Sequence, residues 1–409
     1  MIETDLAPGP ERATGRRLTA LLAATSAVTA ANVYLNQPLM GAAAASFGVV
    51  TDALGAVPTA TQLGYAAGIL LLVPAGDSHD RRRLILGLGG ASALALAACA
   101  LAPSVWWLIG SGFAVGLLSP VPQLVTPLAV ALADRGAPGV GRGRIVGIVQ
   151  AGLLTGVLAS RAYAGAMSDL LGWRAVYGCS CVLTLLLMLV LRRALPHVPS
   201  GGGSGRAAGG AGYRATLVSL PRLFASQPLI RRITLSGALV GIAFGAFWTA
   251  LTFLLEKKYG FGPTGIGLFG LVAAASALAS PHAGRLADRL GHRGALAALI
   301  GLVVIGWLLL LPGGGGLGWI VAGVVVLDVG VWGSQAASQT ALFALDPAVH
   351  SRLNTLYFTF RFLGIALGSL AGTLAWAHSG WSAVALIGML TTAAGLIVAV
   401  FPVGRRSGR

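Results

Sequence analysis

Charged residues are scarce in this chain of 409 residues. Asp, Glu, Lys and Arg together make up 10% of it, whereas hydrophobic residues make up 56%. Soluble domains carry about 25% charged residues, so a soluble fold of this composition would lack the polar residues to cover its surface. A bilayer, in contrast, solvates helices that are apolar all round. The composition therefore predicts a helical membrane protein.

Lysine, cysteine and histidine are also rare. The 28 basic residues include only 2 lysines, and they lie in short segments between apolar runs, which favours topology signals over a nucleic-acid surface despite the net charge of +16. The three cysteines lie inside apolar runs, which excludes a disulfide framework and a zinc pattern. The apolar runs contain no cluster of histidines or acidic residues that would indicate an enzyme. We expect no cofactor and no metal site.

Twelve apolar runs reach the length of about 20 residues that crosses a bilayer core of about 30 Å. They are continuous, whereas the strands of a porin-type barrel alternate apolar and polar residues. We therefore predict an all-α membrane protein with twelve transmembrane helices, called spans 1 to 12. The runs cover residues 18–40, 56–75, 84–103, 105–133, 145–167, 174–192, 233–254, 264–283, 294–312, 317–342, 353–376 and 382–402.

The basic residues divide unevenly between the two sides of the predicted membrane. With the N-terminus placed inside, the cytoplasmic segments contain 23 of the 28, the external loops contain 3, and 2 lie within spans. Positive charge concentrates on the cytoplasmic side of membrane proteins, so we expect both chain ends to be cytoplasmic. The excess of Arg over Lys favours a GC-rich bacterium, and hence a bacterial inner membrane.

An internal repeat recurs at an offset of 208 residues. Its matched positions are Gly76 with Gly284, Asp80 with Asp288, Arg144 with Arg352, and Gly172-Trp173 with Gly380-Trp381. The repeat predicts two pseudo-symmetric six-helix bundles with a substrate site between them. The predicted segments are an N-terminal tail 1–17, a first bundle 18–192, a linker 193–232, a second bundle 233–402 and a C-terminal tail 403–409. From Tyr213 the linker is either an interfacial helix or a plain connection.

Two charged loops carry the most specific motif. PAGDSHDRRRLILG joins spans 2 and 3, and PHAGRLADRLGHRGALA joins spans 8 and 9. They resemble the loop signature of the major facilitator superfamily, Gly-x-x-x-Asp-Arg-x-Gly-Arg-Arg. The resemblance implies a fold that alternates between inward-open and outward-open forms, with the loops as breakable latches or only as positive anchors. The matching residues are Gly76, Asp80 and Arg81 in the first copy, where Arg83 replaces the second glycine, and Gly284, Asp288, Arg289, Gly291 and Arg293 in the second.

A closer resemblance connects the chain to the nucleoside and sugar exporters of the bacterial drug:proton antiporter group. It rests on ANVYLNQPLMGAAAASFG, TQLGYAAGILLLVPAGD and LDVGVWGSQAASQTALFALDP. The resemblance implies proton-coupled export of a small organic solute, with proton-linked uptake as the alternative. Span 4 departs from the group because it lacks an arginine, and span 5 has Val157, Ser160 and Arg161 in place of a proline and two glycines. A passive channel would need a continuous polar stripe, which is not evident.

Ionisable side chains inside spans are costly and mark candidate functional sites. Asp328, eleven residues into span 10, is the only acid deep in any predicted span. It is the candidate for proton coupling, unless it belongs to a permanent ion pair. Arg361 of span 11 is predicted at a compatible depth to pair with it. Arg161 of span 5 could bind an anion, replace the missing span 4 arginine, or extend outward to water.

Polar and aromatic side chains of spans 1, 4, 5, 7 and 10 are candidates for a substrate cavity. We also expect bends at Pro38 and in the proline-rich part of span 4. The Gly364, Gly368 and Gly372 series is expected to mediate close helix packing. The expected partners are the lipid bilayer, a small-molecule substrate and protons, for a protein that is monomeric. The candidate cavity residues are Tyr34, Asn36, Gln37, Gln123, Arg161, Trp248, Trp332, Gln335 and Gln339.

Overall fold

The computed structural model describes residues 10–133, 142–195, 212–274, 280–312, 315–346 and 349–401. Within these ranges the regular secondary structure is helical throughout. The first six spans are Pro10–Ala31 with Met40–Phe47, Ala56–Leu72, Arg81–Ala100, Val105–Leu118 with Val121–Ala133, Arg142–Leu171 and Trp173–Ala194.

The second six spans begin with Pro228–Tyr259. Span 8 comprises Pro263–Ala274 and the first part of Ser280–Leu310, which turns at Gly291 into span 9. Span 10 is Leu317–Phe343, and His350–Val400 contains spans 11 and 12, separated at Gly380. Four shorter helices lie between spans or at breaks within them: Gln37–Leu39, Thr51–Gly55, Ala75–Ser78 and Tyr213–Ser226.

The helices account for the predicted number of spans. In the described ranges, nine helices are long and apolar enough to cross a membrane, and two shorter apolar helices belong to spans 1 and 8. The longest of the nine, His350–Val400, contains two spans. The prediction of an all-α protein with twelve membrane-crossing helices is confirmed.

Spans 1 and 4 are interrupted where prolines were expected to bend them. Residues 32–36 form turns before Pro38, and Ser119 and Pro120 separate the two helices of span 4. Proline lacks a backbone N–H, and its ring clashes with the preceding turn. Pro127, in contrast, remains inside a helix. The linker also becomes helical at Tyr213, as one of its two interpretations expected.

The repeat is visible where a span reverses directly into the next one. Gly172, between spans 5 and 6, has a φ of 85°, and Gly380, between spans 11 and 12, has a φ of 66°. Residues with side chains rarely adopt such values, so glycine permits the reversal. Each glycine precedes a buried tryptophan, Trp173 or Trp381. These matched corners of the two halves therefore share one backbone conformation type.

Glycines bring the helices of each half into backbone contact. A Cβ atom at Gly156 of span 5 would collide with the carbonyl oxygen of Ala27 in span 1. A Cβ atom at Gly364 of span 11 would collide with that of Ala238 in span 7. Positions 156 and 364 are also 208 residues apart. The close packing expected of the span 11 series is confirmed at Gly364, Gly368 and Gly372, which all contact the span 7 backbone.

The bundle has two ends that matter for the site. The Asp52 end, predicted to be external, carries the loops between spans 1 and 2, 5 and 6, and 7 and 8. There Lys257 Nζ of the second half lies 2.8 Å from Asp52 Oδ1 of the first half. The hydroxyl of Thr51 also donates a hydrogen bond of 2.9 Å to Glu256 Oε1. These contacts join the two halves across this end.

The opposite Asp77 end, predicted to be cytoplasmic, carries the loop between spans 2 and 3 and the linker. The hydroxyl of Ser351 donates to Asp77 Oδ2 at 2.8 Å. The amide of Asn354 donates to Gln123 Oε1 at 3.1 Å. Both hydrogen bonds join span 11 of the second half to the first half.

Candidate functional site

A cavity of about 250 Å³ lies between the two halves. It is lined by residues between positions 150 and 157 of span 5 and between positions 332 and 339 of span 10. These positions lie in the parts of the two spans toward the Asp77 end. Its volume is near the lower limit for pockets that bind small molecules, so it suits a small solute. Its lining residues are Ala30, Val33, Tyr34, Tyr65, Gln123, Gln150, Leu153, Leu154, Val157, Phe244, Trp332, Gln335, Ala336, Gln339, Phe358, Arg361, Phe362 and Ile365.

The structure brings most of the candidate cavity residues together. Gln37 and Trp248 line a narrower crevice that has no room for a water molecule. Asn36 is buried elsewhere, where its amide donates a 3.0 Å hydrogen bond to Thr61. The candidates that line the main cavity are Tyr34, Gln123, Trp332, Gln335 and Gln339.

Asp328 is buried one helical turn beyond the cavity. Its side chain is on the same face of span 10 as Trp332 and Gln335, because residues four and seven apart share a helix face. Asp328 is only 1% exposed, and neither carboxylate oxygen has a hydrogen-bond partner in the described part of the chain. The groups that act on it are the Arg161 guanidinium and the indoles of Trp248 and Trp332. None of these contacts meets the geometry of a hydrogen bond.

Arg161 is held between the halves. Its Nε donates a 2.7 Å hydrogen bond to Gln37 Oε1. Its guanidinium carbon lies 3.8 Å from the ring centroid of Trp248 and 5.2 Å from that of Tyr34, which are cation–π distances. The side chain is 2% exposed. The alternative in which Arg161 extends outward to water is therefore wrong, because the guanidinium is enclosed by polar and aromatic groups.

Arg361 does not form the expected pair with Asp328. No ion pair within 4.0 Å or hydrogen bond joins the two residues in the described ranges, and Arg361 instead lines the cavity. Depth explains this result. At about 1.5 Å per residue, Arg361 lies about 16 Å from the start of span 11 at His350, whereas Asp328 lies about 22 Å from the end of span 10 at Phe343. Arg161 is the arginine whose charge acts on the Asp328 carboxylate, from longer range, because no ion pair within 4.0 Å joins these two residues either.

The first motif loop is built around Asp80. Its carboxylate accepts a 2.9 Å hydrogen bond from the backbone N–H of Arg82, so it caps span 3. Arg81 pairs with Asp77 at 3.1 Å. A Cβ atom at Gly76 would lie 2.5 Å from the Leu124 side chain of span 4, so this glycine allows a close approach to that span.

The second motif loop differs from the first. Gly291 has a φ of 66° and interrupts the helix, whereas Arg83 at the matched position lies within Arg81–Ala100. Arg289 and Arg293 are exposed. The side chain of Asp288 and the surroundings of Gly284 lie outside the described part of the structure, so the latch interpretation of this copy stays a prediction.

Several cavity residues are absent from the sequence prediction. Gln150 is the only amide in the apolar run 145–167, and this contrast was a usable signal. Tyr65 was similarly the only phenol in run 56–75. Phe244, Phe358 and Phe362 are aromatic residues in apolar runs, and no pattern in the sequence separates them from lipid-facing residues. The described ranges contain no cluster of three or more His, Cys, Asp or Glu that could hold a metal.

Comparison with known proteins identifies the class. The family model described as Major Facilitator Superfamily matches residues 22–369 and, in a second match, residues 233–408. Over 383 residues the chain is 34% identical to the uncharacterized transporter YgaY of Escherichia coli O157:H7, covering 93% of this chain and 94% of YgaY. Over 381 residues it is 35% identical to SCO4007 of Streptomyces coelicolor, named as a probable transporter, covering 93% and 86% of the two chains.

A solved structure of nucleoside transporter NupG superposes with a TM-score of 0.70 at 14% identity, covering 93% of this chain and 97% of that one. At this identity the likeness concerns the fold alone. The chain belongs to the Major Facilitator Superfamily, whose members are transporters and not enzymes. The expected fold and the absence of an enzymatic role are confirmed.

Proposed function

We propose that this protein is a proton-coupled secondary transporter of a small organic solute, in which Asp328 carries the proton and Arg161 is its counter-charge. The observation that carries the proposal is the state of Asp328, which is 1% exposed and lacks a hydrogen-bond partner in the described ranges. A permanently ionised carboxylate normally needs close partners when it is buried. Among the described residues, Asp328 has an arginine and two indoles at longer range, an arrangement that suits a group that gains and loses a proton.

The position of the pair supplies a way for a proton to bias the fold. Arg161 belongs to the first half and Asp328 to the second, so their attraction acts across the interface that must rearrange in alternating access. A proton shifts a conformational equilibrium only if it binds the two forms unequally. Protonation of Asp328 removes this attraction and therefore favours a form in which the two halves separate at this level.

Export against proton entry is the preferred direction, on the resemblance to exporters, and proton-linked uptake is the alternative. Asp80 and Asp288 are retained as loop residues that bias one of the two forms. The protein is proposed to act as a monomer in a bacterial inner membrane, with both chain ends in the cytoplasm.

The test uses proteoliposomes that contain a pH-sensitive dye. Nucleosides, sugars, amino-acid derivatives, organic acids and cationic drugs are screened for solute movement that changes internal pH, and the orientation of the effect gives the direction. Asp328→Asn keeps the side-chain shape but removes the titration. We expect this variant to lose uptake or export against a gradient while it retains downhill exchange.

The matched control is Asp346→Asn, the same substitution in the loop that follows span 10, which should keep concentrative transport. If Asp328→Asn still concentrates the solute with a pH gradient as the only energy source, Asp328 has no coupling role and is a structural member of the Arg161 cluster.

A further inference from the structure

We infer that the cavity binds a small organic monocarboxylate with an aromatic or apolar body, and that Arg361 binds its carboxylate. This inference rests on the proposed function, because it names the chemical class of the solute that enters the same cavity. It begins with an unsatisfied charge. Arg361 is 2% exposed, lines the cavity, and its Nη1 has no hydrogen-bond partner in the described part of the chain.

The two buried arginines differ in their surroundings. Arg161 also has one nitrogen without a partner in the described part of the chain, Nη2, but Asp328 acts on it and it donates to Gln37. Arg361 has no such compensation among the described residues, since none of those that line the cavity is an acid and Asp328 lies one turn beyond the cavity, past Trp332. A buried cation without a counter-ion is costly, and an anion in the cavity removes that cost.

The number of free charges limits the ligand to one negative charge. A guanidinium presents paired N–H donors that match one carboxylate. A dicarboxylate or a phosphate dianion would bring a second charge, and the described residues that line the cavity include no second cation to meet it. A cationic solute would meet like charge at Arg361, which opposes binding.

The other walls favour a flat apolar body. Tyr65 and Phe362, from different halves, pack edge to face with ring centroids 4.5 Å apart, and Phe244 and Trp332 are arranged similarly at 6.0 Å. All four rings line the cavity, and aromatic groups pack well against such edges and faces. The volume of about 250 Å³ restricts the body to one or two rings.

The test compares three probes with one skeleton and different charge: phenylacetate, phenylacetamide and phenethylamine. Binding to the purified protein is measured by calorimetry in the absence of any proton gradient. We expect phenylacetate to bind about tenfold more tightly than the amide, with the amine weakest. Arg361→Gln should reduce the preference for the acid to about twofold or less, and Arg361→Lys should retain part of it because the charge remains.

The control is Arg352→Gln, which removes an arginine from the same span at the Asp77 end and should leave the preference for the acid intact. Failure of phenylacetate to bind at millimolar concentration, equal binding of acid and amide, or an unchanged preference in Arg361→Gln overturns the inference. These outcomes are separate from the transport test, because a neutral solute can still be coupled to protons through Asp328, and an acid can bind without coupling.

Discussion

The two halves of the transporter share one repeat but have diverged where they carry buried charge. Asp328 of span 10 corresponds to Pro120 of span 4, since the positions are 208 residues apart. The helix is broken at Pro120, whereas span 10 continues through Asp328. The first half thus has a helix break at the position where the second half has a charged residue. The second half keeps the helix regular and accepts a buried carboxylate.

At a second matched position the first half carries the charge: Arg161 of span 5 corresponds to the uncharged Ser369 of span 11. In the ranges that the structure describes, the Ser369 hydroxyl makes neutral hydrogen bonds, at 2.9 Å with Thr249 of its own half and at 3.1 Å with Thr59 of the first half. Each half therefore contributes one member of the Arg161–Asp328 pair and has an uncharged residue at the equivalent position. Of these four positions, Asp328 alone carries an acid.

The largest expected effect comes from removing one member of the charged pair. Arg161→Gln removes the cation that acts on the buried Asp328, and leaving a buried charge uncompensated costs on the order of 3 kcal/mol. The double variant with Asp328→Asn should lose less than the sum of the single variants, by at least about 1 kcal/mol. The free energy of unfolding of the four proteins in detergent gives this coupling energy.

Arg361→Gln serves as the control, because the charge of Arg161 acts on Asp328 and that of Arg361 does not. Combined with Asp328→Asn it should show additive effects. Two results would contradict the assignment of Arg161 as the counter-charge. One is that the effects of Arg161→Gln and Asp328→Asn on the free energy of unfolding are additive. The other is that Arg361→Gln has a coupling energy with Asp328→Asn as large as that of Arg161→Gln.

The sequence predicts what depends on local chemistry. Proline predicted a bend in span 4, which the structure places at Ser119 and Pro120, and the repeat matched Gly172 with Gly380, which both form corners. The partner of Asp328 depends instead on the depth and rotation of three helices. The predicted start of span 11 at residue 353 lies three residues after its observed start at His350. That offset of about 4.5 Å is most of the depth difference of about 6 Å that separates Arg361 from Asp328. The enclosure of Arg161 by two aromatic rings likewise arises only when the halves meet.

The second prediction tests the repeat through its closest backbone contacts. Gly156→Ala and Gly364→Ala each place a Cβ atom against the carbonyl oxygen of a neighbouring helix, and such overpacking costs about 1–3 kcal/mol. We expect both variants to lower the free energy of unfolding by similar amounts. Gly147→Ala is the control, because an added Cβ there meets no atom within 4 Å. A loss at only one of the two matched positions would show that the halves pack differently.

The smallest expected effect concerns the exposed charge pair at the Asp52 end. There the signs are reversed with respect to the buried pair: the first half supplies the acid, Asp52, and the second half supplies the cation, Lys257, at 2.8 Å. Their side chains are 19% and 45% exposed, and exposed pairs contribute about 0.2–1 kcal/mol. Lys257→Gln should therefore leave the unfolding free energy nearly unchanged.

The same substitution should still shift the balance between forms, because the pair joins the halves across one end. A cysteine introduced by Gln37→Cys lies in the crevice described above, and its rate of labelling by a thiol reagent reports opening. The labelling of the three native cysteines is measured in the parent protein and subtracted. We expect Lys257→Gln to raise this rate about twofold at low salt, as follows from a contact of this strength. The exchanged pair Asp52→Lys with Lys257→Asp should restore the original rate.

High salt should abolish the difference in labelling rate by screening the exposed pair. The Arg161–Asp328 coupling energy should persist at high salt, because water and ions do not reach these buried side chains. A labelling rate that ignores both the substitution and the salt would mean that the halves are held closed at this end by Thr51, Glu256 and the glycine contacts alone.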